Sequence, residues 1–212
     1  MKKISIIDYG CGNLLSIKRA LDKIGHESLI TNRQDDILKS DFLILPGVGA
    51  FQNAMKLLND KDLINVLNKF VLDKSKRLFG ICLGMQILFT KSYEMGKHKG
   101  LDLIKGKVIS IKEKTNNKKL IVPHISWNKI FTNQSMADNK EKNFDYLDLK
   151  YYFVHSYLAL TEKSDHTLAY CNYQDVVIPA VIKYDNIMGC QFHPEKSGKN
   201  GLNFLKGVIQ NW

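Results

Sequence analysis

Cys82 and His193 are the residues of this chain whose types and surroundings offer nucleophilic chemistry. Cys82 lies in Gly80-Ile81-Cys82-Leu83-Gly84, after the apolar run 78–81 and before Met85, where a helix running through Phe89 is expected to start. A glycine two residues to either side of a nucleophile is the spacing of a strand–elbow–helix turn, with cysteine in place of serine. A tight elbow holds the nucleophile in a sparsely populated backbone region, and its neighbours come close only without side chains. A helix beginning just after the sulfur would aim free N–H groups and its positive dipole end at it, favouring thiolate. The bland alternative is a packed core thiol, a common fate for a lone cysteine between glycines. His193-Pro194-Glu195 adds the missing parts. In an extended segment, positions two apart share a face, and proline favours the extended form before it. The imidazole and the carboxylate then form a base and its orienter, needing a nucleophile from elsewhere in the fold. A strand-end histidine beside a surface glutamate is the competing reading of that tripeptide taken alone.

Five further histidines compete for the base role. His26, His98 and His166 have no motif around them and read as surface or turn residues. His155 alternates with apolar residues in Tyr152-Phe153-Val154-His155-Ser156-Tyr157, as a structural residue or one near a substrate. His124 follows Pro123 and precedes Trp127-Asn128, and reads as a packed or interface residue. His193 alone has a carboxylate two residues away on the same face.

The elements that must position these residues alternate through the first half of the chain. Residues 3–8 form an apolar strand, followed by a glycine turn at 9–13. Leu14, Ile17, Leu21 and Ile24 then recur at helical spacing, and Gly25 closes the helix. Strand, glycine turn and helix resemble a dinucleotide fingerprint, but Leu15 stands where its third glycine belongs, so that reading fails. Residues 27–31 and 41–45 give a second and third strand. The third runs into Pro46-Gly47-Val48-Gly49, where glycines past a buried strand let backbone N–H groups face a cleft and suit an anion. A tight turn before a helix explains the same residues. Leu63, Val66, Leu67, Phe70 and Val71 make an amphipathic helix over the sheet. Such alternation indicates a parallel sheet covered on both faces. Residues 108–111, 120–122, 151–155, 166–171, 179–184 and 187–192 read as further strands, partly antiparallel, and 202–209 as a closing helix. The polar stretch 133–150 reads as a surface loop or extension.

Gly80-Ile81-Cys82-Leu83-Gly84-Met85-Gln86 together with His193-Pro194-Glu195 resembles the class I (triad) glutamine amidotransferase family. Ile7-Asp8-Tyr9-Gly10, Gly12-Asn13, Pro46 to Gly49, Pro123-His124, Trp127-Asn128, Tyr152 to Tyr157 and Glu195-Lys196-Ser197 extend the likeness nearly end to end. Within that family the motifs are most similar to glutaminase subunits of imidazole glycerol phosphate synthase. The resemblance implies an α/β class I glutaminase fold: a flavodoxin-like, mostly parallel mixed sheet with helices on both faces and a strand-rich C-terminal half. It implies one domain over 1–212, a Cys82-His193-Glu195 triad and no metal or organic cofactor. It places oxyanion donors at Leu83 and at Gly47–Val48, whose connecting peptide turns over before its N–H can serve. It places glutamine against Gly49, Gln86, Ser156 and Tyr157. It also implies a heterodimer in which a (β/α)-barrel cyclase takes up the ammonia, with Asn13, Trp127 and Lys196 at interface or gating positions. Ile125-Ser126 departs from the family's usual Met-Gly, so a related glutaminase feeding surface-sugar biosynthesis is the alternative. A cysteine peptidase or thiol stress protein is the alternative of another class.

Length and composition bound these readings. The 212 residues suffice for one well-cored domain, and 44% hydrophobic and 25% charged residues are ordinary for a soluble protein. No apolar run approaches a membrane span, and residues 1–3 lead straight into a strand, so a cytosolic location without a membrane partner is expected. The net charge of +10 comes from scattered lysines rather than one stripe, which argues against nucleic acid and suits an anionic substrate on a partner. Cys11, Cys82, Cys171 and Cys190 show neither C-x-x-C nor zinc spacing, so neither a metal site nor a disulfide framework is expected.

Overall fold

The computed structural model describes residues 2–132 and 146–212. Ile4–Ile7 (β1) is buried throughout and paired in parallel with Ser28–Thr31 (β2) and Phe42–Leu45 (β3). Arg77–Ile81 (β4) adds to β3, and Ile187–Cys190 (β13) adds to β4, both in parallel. The chain's last strand is thus drawn in beside the strand that carries Cys82. Val176–Tyr184 (β12), Thr167–Tyr173 (β11), His124–Phe131 (β8) and Lys150–His155 (β9) continue the sheet in antiparallel pairs. Its order is β2-β1-β3-β4-β13-β12-β11-β8-β9. A smaller sheet joins Tyr157–Thr161 (β10), Ile104–Ser110 (β7), Phe89–Ser92 (β5) and His98–Lys99 (β6) in that order.

The period of two along the central strands divides the core. Phe42 and Ile44 pack on one face with Leu14–Lys23 (α1) and Gly198–Asn211 (α6). Leu43 and Leu45 pack on the other with Gln34–Leu38 (α2), Phe51–Asp60 (α3) and Leu63–Leu72 (α4). The large sheet is mixed, parallel from β2 to β13 and antiparallel from β13 to β9. Its parallel half is covered on both faces, which is the α/β arrangement the sequence implies without the parallel majority.

Two expectations about single elements need correction. The helix expected through Phe89 is a single turn, Leu83–Gln86 (α5), because Phe89 pairs with Ile104 and opens β5. Pairing and burial override the local helical pattern there. Residues 120–122 form no strand. The strand begins instead at His124, where pairing with β9 sets its alternation of buried and exposed residues. Of the polar stretch 133–150, residues 133–145 lie outside those described. The turn that follows is anchored, with Tyr146 buried, its carbonyl accepting from the Tyr151 hydroxyl at 3.0 Å and its ring 4.9 Å from Phe204. Among the described residues no helix is long and apolar enough to cross a membrane.

Candidate active site

Cys82 follows β4 with φ 54° and ψ −112°, a conformation that L-residues rarely adopt. The elbow holds it because the surroundings leave no slack. A Cβ on Gly84 would stand 1.9 Å from the Leu45 carbonyl oxygen, and one on Gly47 would stand 2.5 Å from the Gly84 nitrogen. Glycine at these positions lets the end of β3 lie directly against the elbow. The Cys82 N–H donates to the Cys190 carbonyl at 2.8 Å, tying the elbow to β13 as well.

The base arrives just past β13. His193 is buried, and its Nδ1 lies 2.8 Å from Glu195 Oε1, whose side chain is equally buried. The backbone that brings them together is a 3-10 turn, Pro194–Lys196, rather than the extended segment the sequence suggested. Proline begins that turn, where its missing N–H costs nothing. Nδ1 carries the hydrogen toward the carboxylate, so Nε2 is the working nitrogen; among the described residues it is buried without a hydrogen-bond partner, and His193 lines the same cavity as Cys82. Burial alone would lower the His193 pKa. The Cys82 sulfur and then the Glu195 carboxylate outweigh it and raise the pKa to about 10.

The cavity holds about 400 Å³, within the range of small-molecule sites. Val48, Gly49, Leu83, Gln86, Ser156 and Tyr157 line it beside the nucleophile and the base. Gly49 has φ +98° with open space beside it, so the backbone there faces the cavity unscreened. Gly47 is buried behind the lining, pressed on the elbow. Among the described residues, no acceptor takes the N–H of Leu83 or of Val48. Such free donors beside a nucleophile suit an oxyanion.

Asn13, Trp127 and Lys196 lie outside this lining. Asn13 is exposed, and its side chain accepts from the Ser16 N–H at 3.3 Å to cap α1. Trp127 is half-exposed with its ring 5.9 Å from Tyr152, and Lys196 is exposed on the turn next to Glu195.

Two lining or contacting residues escaped sequence reasoning. Glu94 lines the cavity, and its Oε2 accepts the Phe51 N–H at 2.7 Å, supplying the cap that Ala50 cannot give α3. Nothing around Glu94 in the sequence announces this. Gln191, fully buried, donates from Nε2 to the Cys82 sulfur at 3.6 Å. Its signal was present: it sits two residues before His193, as Glu195 sits two after.

His124 and His155, neither of them the base, form one network. The Tyr157 carbonyl can only accept, so His155 Nδ1, 2.8 Å away, donates to it. His155 Nε2 and His124 Nδ1 lie 2.9 Å apart. His124 Nε2 lies 2.8 Å from the Ser126 hydroxyl and 2.9 Å from Asn128 Oδ1, whose amide is oriented by Nδ2 donating to the Asn172 carbonyl at 2.7 Å. Burial pushes His155 down to about 3, with His124 adding to the shift, and burial lowers His124 too. The side chain of Ser126 joins this network, its hydroxyl donating to Asn128 Oδ1.

The model of class-I glutamine amidotransferases matches residues 5–209. The chain is 44% identical to the imidazole glycerol phosphate synthase subunit HisH of Lactococcus lactis, covering 99% of each chain. It is 40% identical to the HisH 1 subunit of Legionella pneumophila strain Paris, over 99% of this chain and all of that one. Its fold resembles that of PurLQS from Thermotoga maritima, with a TM-score of 0.69 at 16% identity over 100% and 99% of the two chains. Matched by that model over almost its whole length and by relatives at 40–44% identity, the chain belongs to the class-I glutamine amidotransferase family.

Proposed function

We propose that this chain is the glutaminase subunit of an imidazole glycerol phosphate synthase: it hydrolyses the side-chain amide of glutamine to glutamate and supplies the ammonia to a cyclase partner in histidine biosynthesis. The observation that carries the chemistry is His193 facing the Cys82 cavity with Glu195 at 2.8 Å behind it. His193 holds the proton taken from the Cys82 thiol, and the resulting thiolate attacks the amide carbon. The carbonyl oxygen becomes an oxyanion held by the Leu83 N–H and, once its peptide turns over, by the Gly47–Val48 donor, each worth about 3 kcal/mol. The imidazolium returns its proton to the amine nitrogen, the C–N bond breaks and ammonia leaves a glutamyl thioester on Cys82. Water, deprotonated by His193, cleaves the thioester and releases glutamate.

The cavity also suits the rest of the substrate. Glu94 offers a carboxylate to an α-ammonium group, while Gly49, Gln86, Ser156 and Tyr157 surround the chain between the two ends. A glutaminase releasing ammonia into bulk water would lose it, so the product calls for a partner over the mouth. On the outer side of β8 and β9, Ile125 is paired with Val154 and Trp127 with Tyr152. Ile125 is 56% and Trp127 49% exposed, and Val154 reaches the cavity, so this apolar face runs up to the site. A (β/α)-barrel cyclase docking there, with Asn13, Trp127 and Lys196 at its edge, completes the heterodimer. Relatives at 40–44% identity named as imidazole glycerol phosphate synthase subunits favour the histidine route over the surface-sugar one.

Acid quenching during glutamine turnover, followed by peptide mass mapping, tests the chemistry. A glutamyl group is expected on the Cys82 peptide. Turnover with no acyl group there, or with one on Cys11, Cys171 or Cys190, overturns the assignment.

A further inference from the structure

The one-turn helix α5 leaves a gap in the account of the nucleophile. A helix of four residues has little dipole to offer, so the thiolate needs donors from elsewhere. Gln191 is fully buried between Gln86 and Cys82, its backbone fixed by the bond from its N–H to the Ala180 carbonyl at 2.9 Å. The direction of its amide is decided by a backbone group. The Tyr157 carbonyl accepts only, so the Gln86 atom 3.0 Å from it is Nε2. That same amino group lies 2.9 Å from the Gln191 amide, so the atom facing it there is Oε1. Nε2 of Gln191 is then left pointing at the Cys82 sulfur, 3.6 Å away, a length suited to the larger radius of sulfur. Turning the Gln191 amide over would set donor against donor at one end and oxygen against sulfur at the other.

We propose that Gln191 is a positioning residue for the nucleophile: its amide N–H, locked in direction by Gln86 and the Tyr157 carbonyl, stabilises the Cys82 thiolate and keeps the sulfur aimed into the cavity. As a thiol, Cys82 has the Val154 carbonyl within weak hydrogen-bond reach at 3.9 Å. As a thiolate it can only accept, and Gln191 and His193 are the donors facing it. The other titratable groups near the sulfur oppose the negative charge or ignore it. Tyr9 and Cys190 are kept protonated chiefly by burial, His155 is neutral, and Glu94 lies across the cavity. The lock begins at Tyr157 and Gln86, both in the substrate lining, so the same two residues that meet glutamine also hold the donor on its nucleophile. This inference rests on the reading of Cys82 as the nucleophile.

The test is the pH dependence of Cys82 alkylation by iodoacetamide in the full-length chain, read on the Cys82 peptide by mass spectrometry. In Gln191→Leu, which removes the donor at similar volume, the midpoint is expected to rise by about one pH unit, with alkylation at neutral pH about tenfold slower. In Gln191→Glu, which keeps an acceptor for Gln86 but turns an oxygen toward the sulfur, the rise is larger. Gln86→Leu, which frees the amide to turn, shifts the midpoint the same way, so the lock is tested even where Gln191→Leu fails to fold. A purely structural Gln191 would lower the melting temperature and leave the midpoint of folded variants in place, and that result overturns the proposal. The two readings fail separately: shifted midpoints without a glutamyl thioester would spare the hydrogen bond and remove the catalysis, and a thioester with unshifted midpoints would do the reverse.

Discussion

His193 shows how a buried pair sets the charge of a single ring. Its imidazole loses hydration, yet the sulfur on one side and the carboxylate on the other hold its pKa at about 10. The folded value lies above the ordinary 6.5, so the ring carries its proton through neutral pH and gives it up only as pH rises through about 10. Nuclear magnetic resonance of the labelled ring is expected to show that late titration. In Cys82→Ala the midpoint should fall by about a unit or more, since the sulfur is the foremost influence raising it. An unchanged titration would separate the two residues. The reading of the sequence put these two side chains together by way of a different backbone. His193 and Glu195 meet, but through a 3-10 turn opened by Pro194 and not through an extended strand. The short separation limited the options so strongly that either backbone would unite them.

At the scale of elements, the elbow depends on how closely β3 approaches α5. Gly84→Ala would place a Cβ 1.9 Å from the Leu45 oxygen, and backbone on both sides leaves little room to yield. The expected cost is about 3 kcal/mol or more, read as a lowered denaturant midpoint, with glutaminase turnover lost as the sulfur is displaced. Wild-type stability in that variant would contradict the close packing. The first half of the fold was legible because each buried strand is a continuous apolar run, as in Phe42–Leu45, and each helix carries an apolar stripe, as in α4. The second half was less so. His124–Phe131 mixes histidine, serine, asparagine and lysine, and only its pairing with β9 makes it a strand. Phe89 looked helical because its partner, Ile104, lies beyond a turn that no local pattern reveals. Gln191 was hidden inside a recognised motif, since the motif drew attention to the ionisable residues and not to the amide that orients them.

For the molecule as a whole, the topology does the assembly. Inserting the last strand between β4 and β12 carries Gln191, His193 and Glu195 to the end of the strand that presents Cys82. The carboxyl ends of parallel strands are where open α/β sheets bind ligands, and here they meet the apolar face of β8 and β9. With the proposed partner on that face, ammonia is released beside it, and the two half-reactions are predicted to be separable. The most direct measurement is product formation by the chain reconstituted with its cyclase partner, comparing wild type with Cys82→Ser. The variant should lose synthesis from glutamine while retaining synthesis from added ammonium. Loss of both together, or survival of the glutamine reaction, would contradict the assignment of Cys82 as the group that frees ammonia.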